Sequence, residues 1–414
     1  MGGVSMEWKE VTLGDLCEIS SSKRIFAKEY QSDGVPFYRG KEIIAKQKGN
    51  AISNELFISR NRYEEIKAKY GVPQQRELLL TSVGTLGVPY VIKEEEFYFK
   101  DGNLTWFRHF NGLDVEYLYY WFLSPYGKNE INTKAIGSTQ KALTIDSLSK
   151  FDIKIPANLD DQRRIASILS SLDRKIELNN KINADLEEMA QAIFKNWFVD
   201  FEPFKDGKFV DSELGMIPEG WKVGRLDEIA DVVGGSTPSK AKPEYYTQKG
   251  IAWLTPKDLS NHPAVYTSRG EIDITEEGYN STSTKLMPKG TILFTSRAPI
   301  GYISIAQNDI CTNQGFKSLV PKKAGTCFLY CFLKYVTPEI ENKSTGSTFK
   351  EASGALMKSL QVIMPEQKVF EDFEEIVCPL FARIESLEKE NSRLSLLRDT
   401  LLPRLMSGEL EVPE

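Results

Sequence analysis

Two short stretches carry residue types suited to gripping a phosphate. Gly137-Ser138-Thr139-Gln140-Lys141 and Gly346-Ser347-Thr348-Phe349-Lys350 each place a glycine, two hydroxyls and a lysine within five residues. Glycine lets a backbone approach a ligand closely, hydroxyls and amides donate to phosphate oxygens, and lysine supplies charge. Other residues able to touch a nucleic acid surround them. In the first half of the chain these are Lys23, Arg24, Arg39, Lys41 and Lys46; in the second half they are Ser236, Thr237, Lys240, Lys257, Arg297, Asn313 and Gln314. Arg, Lys, Asn and Gln read base edges in a groove, and residues found in only one half are the ones expected to do so. A solvated lysine is the plainer reading of any single one. Lys41 and Lys257 each precede an acid, Glu42 and Asp258, that competes for the charge.

Signatures of catalysis are missing. No Gly-x-x-x-x-Gly-Lys-Ser/Thr occurs, nor the Asn-Pro-Pro-aromatic run of an amino-methyltransferase, nor a Pro-Asp dipeptide. His109 and His262, the two histidines, have no ligand-like spacing. Cys327 and Cys331 lie four apart with Cys311 upstream, and we read them as buried thiols. The expectation is no catalytic residue, no metal and no cofactor on this chain.

The elements that must position these residues come in duplicate. Trp8-Lys9 matches Trp221-Lys222 at an offset of 213; Gly34 and Lys41-Glu42-Ile43 match Gly250 and Lys257-Asp258-Leu259 at 216; Thr81-Ser82 and Gly87 match Thr295-Ser296 and Gly301 at 214. Leu118-Tyr119 matches Leu329-Tyr330 at 211, and the Gly-Ser-Thr-x-Lys stretches and Pro156/Pro365 match at 209. A slowly drifting offset is what loop insertions in a duplicated unit produce. Within each copy, short apolar runs read as strands: Leu78–Ser82, Tyr90–Ile92 and Phe97–Phe99, then Thr291–Ser296 and Tyr302–Ala306. One helix per copy is expected, Val115–Leu123 and Cys327–Tyr335, with closing strands at Ile153–Ile155 and Val362–Met364.

A long helix follows each copy. Residues 160–198 lack Gly and Pro, and Asp160-Asp161 favour a helix start. Ile165, Leu169, Leu172, Ile176, Asn179, Asn183, Leu186, Ala190, Ile193 and Trp197 alternate steps of four and three, a heptad seam. Phe373, Val377, Leu380, Ile384, Leu387, Asn391, Leu394, Arg398, Leu401 and Leu405 repeat it at an offset of 208, which places Asn183 and Asn391 at equivalent positions. Pro379 is expected to kink or restart the second helix, and Pro403 to weaken its last turn. The fold expected is α+β: two tandem globular modules separated by two long helices that pack as an antiparallel coiled coil, pseudo-twofold. The boundaries are 1–156 and 221–365 for the modules, 157–200 and 366–412 for the helices, and 201–220 for a linker.

The net charge of −6 is unevenly spread. Residues 1–156 carry +1 and 215–365 carry +3, whereas 157–214 carry −4 and 366–414 carry −6. The modules thus tolerate a polyanion, and residues 23–62 reach a local +5. No apolar run is long enough for a membrane span, the first ten residues are too charged for a secretory leader, and five cysteines, an odd number, fit reduced thiols in a cytoplasmic protein.

Three further motifs carry a family resemblance. Trp197-Phe198-Val199-Asp200-Phe201-Glu202-Pro203-Phe204 with Ser212-Glu213-Leu214-Gly215-Met216-Ile217-Pro218-Glu219-Gly220-Trp221, the ending Leu401-Leu402-Pro403-Arg404-Leu405-Met406-Ser407-Gly408-Glu409-Leu410, and the Trp8–Leu16 opening resemble type I restriction–modification specificity subunits. The resemblance implies that each module is a target recognition domain reading one half of a bipartite double-stranded DNA site. It also implies that the helices set the spacing and dock two modification subunits, which bind S-adenosylmethionine and methylate adenine. Restriction subunits with ATP-driven translocase and nuclease activity would complete the enzyme. A DNA-independent scaffold or anti-restriction mimic of the same fold is the alternative, disfavoured because a mimic should be acidic where these modules are basic.

Overall fold

A computed structural model describes residues 6–412 apart from 50–51, 54, 138–140, 298 and 345–349. It divides into two compact units, Met1–Glu177 with Ser392–Glu414, and Leu178–Asn391. The two long helices, Leu159–Phe198 and Gln367–Ser407, each contribute to both.

In the first unit a four-stranded antiparallel sheet runs in the order Glu18–Ser20, Leu104–Arg108, Leu78–Thr81, Pro89–Val91. A second sheet pairs Val35–Tyr38 in parallel with Tyr98–Phe99. The strand Leu78–Thr81 is buried along its whole length, which is why it reads as a continuous apolar run rather than an alternating one. The helix Val115–Leu123 forms as expected, with Asp114 capping it through the amides of Glu116 and Tyr117. The expectation of a single module helix is corrected here. Gly40–Gln47, Arg60–Tyr70 and Pro125–Lys134 are also helical. Arg60–Tyr70 buries only Tyr63 and Ile66, so its sequence shows almost no apolar periodicity.

The second unit repeats this order. Its main sheet runs Ala230–Gly234, Lys317–Pro321, Ile292–Ser296, Ile300–Ala306, with Tyr266–Thr267 added in parallel at the edge. Trp253–Leu254 pairs in parallel with Cys311–Thr312, as Val35–Tyr38 does with Tyr98–Phe99. The closing pairs share one register: Lys9 faces Ile155, and Lys222 faces Met364. The expected helix Cys327–Tyr335 is longer, Thr326–Lys343, and contains Pro338.

Two repeat-equivalent pairs of glycines have a shared physical cause. Gly87 and Gly301 hold φ of +75° and +96°, and a Cβ there would lie 2.4 Å from Ile131 and 2.6 Å from Thr337 on a facing helix. At Gly34 and Gly250 a Cβ would lie 2.4 Å from the Ile58 carbonyl oxygen and 2.6 Å from that of Ile274. The sequence repeat at these positions records backbone close approach.

Within each unit the long helices run antiparallel. In the first, Ile165, Ala166 and Leu169 share a core with Leu402, Leu405 and Met406, and Arg398 pairs with Asp173 at 2.7 Å. In the second, Ala190, Phe194 and Phe198 share a core with Phe370, Phe373, Val377 and Ile384. Asn179 there meets Asn391 at 2.9 Å. Near the end of the first helix Phe194 and Phe198 are buried, while the seam positions one residue before them, Ile193 and Trp197, are only half-buried. A straight helix of 3.6 residues per turn drifts from a strict heptad in that way. Gln367–Ser407 continues unbroken through Pro379 and Pro403, so the expected restart at Pro379 does not occur. Pro379 is exposed, as is Glu375 four residues back, so water can take the freed carbonyl while Val377 and Phe381 remain packed. No helix among the described residues is long and apolar enough to cross a membrane.

Candidate nucleic-acid interface

The repeated Thr-Ser pair organises a polar site in each unit. In the first, Thr81 Oγ1 accepts from the Val88 amide at 2.9 Å; in the second, Thr295 Oγ1 accepts from Tyr302 at 2.8 Å. The Ser82 amide donates to the Asn103 carbonyl at 2.8 Å, and its own carbonyl accepts from Leu143 at 2.9 Å. The Ser296 amide donates to Gly315 at 2.8 Å, and its carbonyl accepts from Ala352 at 2.9 Å. Each serine backbone therefore ties the sheet to the same two loops. One of them is the chain leaving the Gly-Ser-Thr-x-Lys stretch. Ser138, Thr139, Gln140, Ser347 and Thr348 lie outside the described residues, while Lys141 and Lys350 are described and exposed.

Beside this frame in the first unit is a groove of about 310 Å3, lined by Arg39, Gly40, Lys41, Ile44, Thr81, Val83, Thr85 and Asn103. Its lining contains two cations and no acid. Arg39 caps the helix Gly40–Gln47, and its Nη2 lies 2.6 Å from Glu42 Oε1. Burial would raise the Glu42 carboxyl, but the hydrogen bonds from Arg39 outweigh it and hold that carboxyl below its ordinary value. The arginine is thus pre-oriented, with its side chain still 31% exposed. Lys41 keeps a looser contact with Glu42, 3.6 Å, and is largely exposed. Val83 bridges Ala142, the residue after the exposed Lys141. Lys23 and Arg24 are exposed nearby in sequence; Arg24 Nε pairs with Asp101 at 2.7 Å and Lys23 Nζ sits 5.1 Å over the Tyr70 ring. Lys46 is different. It is held 2.6 Å from Glu95 and 4.9 Å over the Tyr38 ring, bracing the module rather than lining the groove.

The second unit builds its site with different side chains on the same frame. Thr237 Oγ1 donates to Gln314 Oε1, the Ser236 amide donates to Thr312, and Asn313 Oδ1 accepts from Gly315. Arg297 Nη1 lies 3.6 Å from Glu351, which Lys317 also approaches at 3.4 Å. Lys350 Nζ donates to the Glu341 carbonyl at 3.2 Å. Ser236, Thr237, Asn313 and Gln314 therefore converge, Arg297 follows Ser296, whose amide is bonded to the neighbouring Gly315, and Lys240 is exposed on the loop that follows Thr237. Lys257 instead faces a separate groove of about 490 Å3 with Asn261, His262 and Arg269, and lies 3.7 Å from Glu271. Asn103, Thr85, Asn261 and Arg269 were not singled out in the sequence. Only Asn103, on the turn Asp101-Gly102-Asn103, carried a signal that could have found it.

This arrangement can present Arg, Lys, Asn, Gln and hydroxyl donors to a polyanion from two similar but unequal sites. The family described as the type I restriction modification DNA specificity domain matches residues 6–188 and again 218–394. The type I restriction enzyme MjaIX specificity subunit of Methanocaldococcus jannaschii is 40% identical over 190 residues, 45% of this chain and 44% of that protein. The matched region is thus less than half of that relative's length. The HindI specificity subunit of Haemophilus influenzae is 28% identical over 329 residues, 65% of this chain and 71% of that protein. The crystal structure of a type I restriction–modification S subunit from M. genitalium shares the fold, with a TM-score of 0.59 at 18% identity, covering 97% of this chain and 96% of that one.

Proposed function

The chain belongs to the family of type I restriction–modification DNA specificity domains, and from that membership we propose that it is the sequence-reading subunit of such an enzyme, each unit recognising one half of a bipartite double-stranded DNA target. The observation that carries the reading is the repeated frame around Ser82 and Ser296. Its backbone hydrogen bonds are the same in both units, while the side chains around it differ. Phosphate contacts can be shared by two half-sites of unlike sequence, whereas base contacts cannot. Arg39 and Asn103 are the base-reading set for one half; Arg297, Asn313, Gln314 and Thr237 are the set for the other.

In this reading the long helices set the half-site spacing. The seam from Ile165 to Trp197 is 33 residues, about 50 Å of helix at roughly 1.5 Å per residue, or between one and one and a half turns of DNA. The same helices dock two modification subunits, which carry S-adenosylmethionine, and restriction subunits carry the ATP-driven machinery. The chain itself performs no catalysis. The pair of cations in the first groove, with no acid lining it, counts against an acidic DNA mimic.

Methylation mapping of cells that express this chain with its modification subunits tests the proposal. A bipartite motif of methylated adenine that disappears when the chain is withheld is the expected result. An unchanged methylome, with the complex still assembled, refutes it.

A further inference from the structure

A cluster in the second unit has no part in DNA reading. Cys327 lies in the first turn of the helix Thr326–Lys343; Glu374 and Cys378 lie four apart on one face of Gln367–Ser407. One donor atom from each falls within 4.8 Å of the others. The two sulfurs are 3.0 Å apart, and Cys378 Sγ is 3.1 Å from Glu374 Oε2. We propose that Cys327, Glu374 and Cys378 bind one soft divalent cation of the Zn2+ class, pinning the module helix to the long helix.

The donor set suits that ion. Two thiolates and a carboxylate are ligands for tetrahedral zinc, at about 2.3 Å for sulfur and 2.0–2.2 Å for oxygen. Such ligands sit roughly 3.5–3.8 Å from one another around the ion, by tetrahedral geometry from those bond lengths. The sulfur–sulfur and Cys378–Glu374 separations reach that spacing by opening less than about an ångström, and Cys327 Sγ lies within 4.8 Å of the carboxylate. The carboxylate is already oriented, as ligands in metal sites usually are. Glu374 Oε1 accepts from the Phe328 amide at 2.7 Å and Oε2 from the Cys327 amide at 3.2 Å. A cradle admits it: a Cβ on Gly325 would lie 2.1 Å from Glu374 Cδ. Three protein donors leave the fourth position to water.

A disulfide between the two cysteines would leave Glu374 with its two amide hydrogen bonds alone, whereas a cation also uses the charge of its carboxylate. A cation would hold the two sulfurs as thiolates, replacing the protons it expels.

The test is Co2+ titration of the full chain, reduced with a phosphine and stripped with a chelator. One equivalent of Co2+ should bind and give a thiolate-to-metal charge-transfer band. Cys378→Ser should abolish the band, Glu374→Gln should weaken binding at least tenfold, and Cys311→Ser, at a buried thiol outside the cluster, should change neither. No band, or a band that survives Cys378→Ser, overturns the proposal. So does a Cys327–Cys378 disulfide in the air-oxidised chain that, once reduced, takes up no Co2+.

Discussion

The carbonyl of Ser82 accepts the amide of Leu143 at 2.9 Å, and Ser296 holds Ala352 at the same distance in the other unit. This bond anchors the chain just after the Gly-Ser-Thr-x-Lys stretch, so the lysine projects from a fixed point. Lys141→Ala and Lys350→Ala should therefore behave as lost phosphate contacts. Each should weaken binding of the assembled enzyme to all DNA sequences alike. Each should also lower the slope of log affinity against log salt by about 0.9. Titration at several salt concentrations on matched and mismatched duplexes reads both effects.

A second prediction concerns the helix pair. Asn179 is fully buried and donates through Nδ2 to Asn391 Oδ1 at 2.9 Å and Glu390 Oε2 at 3.0 Å, while Asn391 Nδ2 donates to Asn180 at 2.8 Å. Asn391→Leu removes one acceptor from a buried amide and should cost about 1–3 kcal/mol. Asn179→Leu with Asn391→Leu should recover much of that loss, because both polar groups go together. Denaturant midpoints of the four species complete the cycle. Purely additive costs would contradict the pairing.

Backbone geometry gives a third. Gly87→Ala and Gly301→Ala each force a side chain onto a positive-φ position and into Ile131 or Thr337. Each should destabilise its unit by about 2–4 kcal/mol, through strain and overpacking together. Thermal unfolding should show the losses to be similar at the two sites.

The fourth is a pH dependence. Burial pushes the Glu388 carboxyl up to about 7, although it accepts the amides of Val265 and Tyr266. A carboxyl raised in the folded state contributes stability that is complete below its unfolded value of 4.5 and is lost as pH rises through about 7. The second unit should thus lose on the order of 1–3 kcal/mol from this group between pH 4.5 and 7.5. Glu388→Gln should flatten that part of the stability profile. An unchanged slope in the variant would place the titration elsewhere.

The duplication, the closing strands, the helix Val115–Leu123 and the two long helices were legible because each repeats a spacing or buries a whole apolar run. Arg60–Tyr70 was not, since it buries only Tyr63 and Ile66 in an otherwise charged helix. Pro379 misled because a proline on an exposed face interrupts one hydrogen bond without disturbing the packed one. Residue type picked out Arg39 and Lys41, which line the first groove, but also Lys46, whose partners Glu95 and Tyr38 come from distant segments. The separation of Lys257 from Arg297 was hidden for the same reason, and so was the Cys327–Glu374–Cys378 cluster.

The central claim is that the two units read different half-sites independently. Its most direct measurement is methylation-motif mapping with Arg39→Lys and Arg297→Lys in turn. Lysine keeps a charge for Glu42 and Glu351 but loses the bidentate fork. Arg39→Lys should relax the motif in one half only, and Arg297→Lys in the other only, each by about 1–3 kcal/mol of discrimination at one position. Two variants that relax the same half, or that lower methylation at every site with the motif intact, would contradict the account.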